Sequence, residues 1–189
     1  MKIDIKNIDD ITINQYVKLL NIFETKEENF DRDIEIVSML TDLEIDELKS
    51  IPYSSIKEIL SKIEEIISKK PDDKVGKDIK IEKTTYLFDS NLHNITTGQF
   101  TDLYGFTKDE DTLIKNLHLI CAILFRKKVK GKIEKYTNVG LFERADIFKN
   151  KMSIITAQNA AFFFLNIKIK LLEETLRYLE KQLKSKTLK

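Results

Sequence analysis

The stretch 153–184 constrains the fold more than any other part of the chain. Its apolar residues Ala161, Leu165, Ile169, Leu172, Leu176, Leu179 and Leu183 follow one another in four- and three-residue steps, the spacing of a helical seam. A helix of that extent, capped by Ser153, is about 45 Å long at 1.5 Å per residue. A compact body of this size is only roughly 40 Å across. The far end must project, lie along a partner, or return across the chain's own first half. Near its start come Ala160-Ala161-Phe162-Phe163-Phe164. Successive helical residues turn by about 100°, so three consecutive phenylalanines cannot face one core, and at least one ring meets a second surface. The candidate partner or oligomer interface is therefore Phe162, Phe163, Phe164, Leu165, Ile169, Leu172, Leu176, Leu179 and Leu183.

Upstream, one phrase is written twice: Ile11-Thr12-Ile13-Asn14-Gln15-Tyr16-Val17-Lys18-Leu19 and Ile95-Thr96-Thr97-Gly98-Gln99-Phe100-Thr101-Asp102-Leu103. In each copy the Thr is placed to cap a helix, with the Gln three residues on as its capping-box partner and the preceding Ile as a hydrophobic staple. Four residue classes recur in one order, which points to an internal repeat; two ordinary caps would read the same way. Between the copies, helices are expected over 31–40 and 53–69. A third capping box at Thr41-Asp42-Leu43-Glu44 starts a short helix that Pro52 interrupts. Residues 2–8 alternate as a short strand would, and 77–88 reads as a hairpin after the Pro71 turn, with a loop as the alternative for its first arm. Past the second phrase, one buried helix is expected over 109–125, then a second hairpin or an extended loop around Gly131 and a helical segment ending near Asn150. The fold class is thus mainly α with minor β hairpins. Its two pseudo-repeated helical units, 1–74 and 92–189, are joined by a connecting hairpin at 75–91, and the second unit carries the long C-terminal helix. One compact domain sharing a core is the alternative.

The chain is long enough to bury most of its apolar surface without covalent staples. Its single cysteine, Cys121, lies in an apolar run and reads as core packing, because a reactive thiol needs an electropositive, accessible setting. One cysteine with two histidines, His93 and His118, does not make a zinc site. Basic and acidic residues nearly cancel, 32 against 31, so no global field favours nucleic acid. The N-terminus has no apolar leader and no run is long enough to span a bilayer, which makes a cytoplasmic protein the default. Arg126, Lys127, Lys128, Lys130 and Lys132 form a local basic patch. It is either a contact for an anionic partner or, the reading the missing aromatics favour, a hairpin edge kept from aggregating by its lysines. Glu143, Arg144 and Asp146 read as ordinary surface or interface pairing. With no nucleophile motif, phosphate loop or nearby histidine, no catalytic residue, metal or cofactor is expected.

The second copy of the phrase, followed by Asn116-Leu117-His118, by Ala122-Ile123-Leu124-Phe125-Arg126, by Glu143-Arg144-Ala145-Asp146-Ile147-Phe148 and by 157–164, resembles small tailed-bacteriophage proteins of the tail-assembly and virion-structural gene regions, those of crAss-like phages included. The resemblance spans about residues 92–166, and the first unit only loosely. Its motifs are helix-packing patterns, and Lys127 stands where those relatives carry a proline. It implies a non-enzymatic structural component of a phage virion, a ring or connector in the tail or neck. Its partners would be other tail or neck proteins and further copies of itself. The alternative is a tail assembly chaperone absent from the finished particle; an adaptor for nucleic acid acting through the basic loop is a third reading.

Overall fold

A computed structural model describes residues 11–41, 43–68, 70–72, 74–90 and 95–187, without the side chains of Ile66 and 181–187. The strand expected at 2–8 lies outside the described residues. The fold is mainly α with a small antiparallel sheet.

Both copies of the repeated phrase are capping boxes. Thr12 precedes α1 (Ile13–Thr25): the Gln15 amide donates to its Oγ1 at 3.3 Å, and its own amide donates to Gln15 Oε1 at 3.0 Å. Thr96 and Gln99 repeat this at 3.3 and 3.1 Å ahead of α5 (Thr97–Phe106). Two donors at each helix start, which would otherwise lack partners, are satisfied reciprocally. The two caps nevertheless lead into different structures. After α1 come α2 (Phe30–Leu40), α3 (Ile45–Lys49) and α4 (Tyr53–Ser68), an all-helical run. After α5 come α6 (Glu110–Lys115) and α7 (Leu117–Leu124), and the chain then leaves α7 directly into a strand.

Two expectations are corrected here. The single helix over 109–125 is broken at Asn116, whose side chain donates to the Thr112 carbonyl at 2.9 Å and closes α6 while its own carbonyl accepts from Ile120 at 3.0 Å and opens α7. Thr41 does not start α3. It ends α2, its amide bonded to the Val37 carbonyl, and the cap of α3 is Glu44, whose amide donates to the Glu47 carboxylate at 3.0 Å.

The hairpin expected at 77–88 is β1 (Asp78–Ile81) with β2 (Thr84–Phe88). It does more than connect. β2 also pairs with β3 (Phe125–Val129), which pairs with β4 (Lys132–Ile133), giving a four-stranded sheet in the order β1-β2-β3-β4. The tight β3–β4 turn holds Lys130 and Gly131 at φ 48° and 79°, the left-handed pair that a two-residue hairpin of this twist requires. The last helices are α8 (Asn138–Lys151) and α9 (Ile154–Thr187).

Apolar burial divides into two clusters that meet along α1. Ile13 and Tyr16 join a large core with β2, α5, α7, α8 and α9, whereas Leu19 and Ile22 join a smaller one with α2, α3 and α4. Leu40 and Ile67 pack against both clusters. The start of α1 is stitched to the start of α9: the Ile13 amide donates to the Met152 carbonyl at 3.2 Å, and the Ile154 amide to the Ile11 carbonyl at 2.7 Å. The first copy of the phrase therefore anchors the long helix as well as its own.

A candidate assembly interface along the last helix

The base of α9 is set into the large core by its small residues. Ala157, Ala160 and Ala161 are buried and let the helix approach α7 closely, where Cys121 Sγ lies 3.9 Å from the Ala157 carbonyl. Burial pushes the Cys121 thiol far up, which holds it in the unreactive protonated form. The three phenylalanines take three environments, as their rotation about the axis demands. Phe164 is fully buried in the core. Phe163 is half-buried and meets Phe88 edge-on with centroids 5.1 Å apart. Phe162, on the opposite flank, lines an open apolar groove.

That groove, of about 430 Å³, runs between α9 and α6. Leu113 and Ile114 form one wall, Phe162 and Leu165 the other, and Tyr16 lies in its lining, with Asp109 and Glu110 at its acidic rim. Asp109 is the cap of α6, accepting from the Thr112 amide at 2.8 Å. That backbone bond, first among its causes, lowers its carboxyl below the usual range and keeps the rim negative.

The helix parts from its own domain at Lys168. This ammonium donates to the Thr107 carbonyl at 2.9 Å and to the Thr107 hydroxyl at 3.2 Å, and sits 4.4 Å from the centroid of the Tyr104 ring. Past it, every residue from 169 to 180 is exposed. Ile169, Leu171, Leu172, Leu176, Tyr178 and Leu179 are 45 to 62 % accessible. Of the predicted interface, Phe164 is thus spent inside the fold, and Phe162 and Leu165 stand at the groove. Ile169, Leu172, Leu176 and Leu179 lie bare, while the side chain of Leu183 is outside the described residues. No self-packing of the seam across α2–α4 occurs within 169–180. From Ile169 to Thr187 the helix extends about 28 Å at 1.5 Å per residue.

The groove and a second apolar stripe lie outside the interface expected from the sequence. The groove's α6 wall is too short to show a helical period. Leu171 and Tyr178 continue the seven-residue rhythm of Ala157 and Phe164 past the edge of the core, a signal that was there to be counted.

The basic hairpin divides in two. Arg126 is turned inward, ion-paired with Asp89 and donating to the Glu134 carbonyl at 2.9 Å, whereas Lys128, Lys130 and Lys132 are exposed. Arg144 requires a correction. Glu143 and Asp146 are at the surface, but Arg144 is 1 % exposed, donating to the Ala122 carbonyl at 3.1 Å and to Glu134 at 2.8 Å. A β-carbon on Gly140 would come within 3.0 Å of this guanidinium, so the glycine makes room for it. The network ties the sheet to α7 and α8. Among the described residues there is no cluster of three or more His, Cys, Asp and Glu, and no helix long and apolar enough to cross a membrane. No protein-family model, curated protein or solved structure matches the chain.

Proposed function

We propose that this chain is a non-enzymatic structural component of a tailed phage virion, a ring or connector of the tail or neck that works through protein–protein assembly. The observation that carries an assembly role is the bare second half of α9. An isolated helix with this much unburied leucine is poorly stabilised in water, because most helical stability comes from packing an apolar face. Such a surface on a folded protein marks a place for a partner. The phage setting comes from the resemblance over about 92–166, whose packing motifs fall on the Thr96 cap and α5, on α7, on α8 and on the base of α9.

Partners of the required kind are other tail or neck proteins and further copies of this chain. The particle would be its final location, after assembly in the host cytoplasm. The exposed Val139 and Phe142 on α8 give a second apolar patch through which a multi-protein contact can be built. A tail assembly chaperone is the second reading, favoured by the open groove beside the bare helix, which is a surface able to hold another protein transiently. Mass spectrometry of purified virions separates the two. Stoichiometric presence supports the structural role; absence from the particle, with abundance in infected cells, supports the chaperone. A nucleic-acid adaptor working through Lys128, Lys130 and Lys132 requires DNA binding that weakens steeply with salt, and undetectable or salt-insensitive binding disposes of it.

A further inference from the structure

We propose that the groove between α9 and α6 is the receptor for the distal half of α9 from a second copy, laid antiparallel and reciprocally, so that two chains form a twofold dimer. This goes beyond the virion reading by naming the partner and its orientation, and it stands or falls wherever the protein resides.

Continuity of the seam is the first argument. Phe162 and Leu165 line the groove at the base of α9, and Ile169, Leu172, Leu176 and Leu179 extend the same stripe into solvent. Base and tip are thus two halves of one surface. In an antiparallel pair the two seam positions of the heptad face each other. One register sets Leu172 against Leu176 of the second copy, Ile169 against Leu179, and position 165 against position 183, so that within the stripe only Phe162 falls opposite a charged residue, Lys186.

Sterics choose the direction. α6 lies on the seam side of α9 at its base, since Leu113 and Ile114 share the groove with Phe162 and Leu165. A parallel pair would bring two bases, and hence two copies of α6, to the same level on the same side. An antiparallel pair brings only the slender end of one helix to the body of the other.

Charge agrees. Residues 181–187 hold Lys181, Lys184 and Lys186 and no acidic residue. In the antiparallel register they run alongside residues 161–167 of the second copy, where Asp109 and Glu110 rim the groove. In a parallel pair the two lysine-rich segments would lie against each other. One like-charge contact opposes the arrangement, Glu173 near its own symmetry mate. It is exposed and therefore screened. Both contacts use the same pair of patches, which is the closure expected of a twofold interface. A ring would then be built from such dimers through other surfaces.

The test uses the full chain. Sedimentation velocity over a concentration series should show a dimer. Ile114→Glu in the groove and Leu176→Glu on the tip should each weaken it by at least about tenfold, a change set by one lost apolar contact. Leu176 is exposed, so at concentrations low enough for the parent to be monomeric its variant should keep the parent's thermal melt; loss of the dimer at higher concentration is then loss of the interface and not of the fold. Mixing Ile169→Cys with Leu179→Cys chains under oxidising conditions should give the crosslinked heterodimer, with the native Cys121 buried and silent. Crosslinking of Ile169→Cys only to itself would mean a parallel pair and overturn the proposal. A monomer at every concentration, or a dimer indifferent to both glutamate substitutions, would also overturn it.

Discussion

The two halves of α9 are written in the same apolar rhythm and end in opposite surroundings. From Ile154 to Lys168 the helix is built of small residues and aromatics, and its inner face is sealed against α7 and the sheet. From Ile169 onward the same spacing carries leucines, and every residue to position 180 faces solvent. Spacing alone therefore does not say whether a seam is a core or an interface. The halves differ in side-chain size. Ala157, Ala160 and Ala161 allow close approach of a neighbouring helix within the chain, whereas Leu172, Leu176 and Leu179 demand a deep receiving surface that the chain's own body does not bring to them.

That contrast can be broken by substitution. The largest expected effect lies in the first half: Phe164→Ala should cost about 3–5 kcal/mol, as for other buried aromatics, read from chemical denaturation. Leu172→Ala in the second half should change the stability of a dilute sample by no more than about 0.5 kcal/mol. Equal losses at the two positions would erase the distinction. Next in size are the helix starts. Thr12→Ala and Thr96→Ala should each cost about 1 kcal/mol. Because Thr12 flanks the bonds that join α1 to the start of α9, its loss should also speed amide exchange at Ile154, while loss of the Thr96 cap should not.

The boundary itself is sharpened by Lys168→Met, which removes the bonds to Thr107 but keeps the aliphatic stem. A cost of about 1 kcal/mol is expected, with faster exchange moving one turn toward Phe164. The smallest effect is acid sensitivity of the inner half. His118 on α7 is held below its ordinary pKa first by burial and then by Lys149, with Asp146 opposing. The folded state thus binds the proton less readily than the unfolded chain. Stability from this group is intact above the ordinary histidine value of about 6.5 and is lost as pH falls through the lower folded value. His118→Gln should flatten that slope, and an unchanged slope would assign it to other groups.

The sequence disclosed mainly the local features of this fold. Both Thr–Gln boxes rest on neighbours three residues apart, and the hairpin over 78–88 on pairs no more than nine apart, so residue type and order suffice to suggest them. The rotation of three adjacent phenylalanines onto different surroundings was likewise a matter of helix geometry. Long-range facts stayed hidden. Arg144 looked like a surface partner of Glu143 and Asp146 because its actual partners, Glu134 and the Ala122 carbonyl, are ten and twenty-two residues away. The break at Asn116 was masked by an apolar run continuous enough to read as one helix. At the interface the leucine stripe could be counted, but the groove that meets its base arises only when α6 folds against α9.

The distal half of α9 is completed by another chain and not by its own. Amide hydrogen exchange, residue by residue along α9 at increasing protein concentration, tests it most directly. Amides 169–180 should become protected as concentration rises, while those of 154–168 are protected equally throughout. Exchange at 169–180 that is independent of concentration, whether fast or slow, would contradict it.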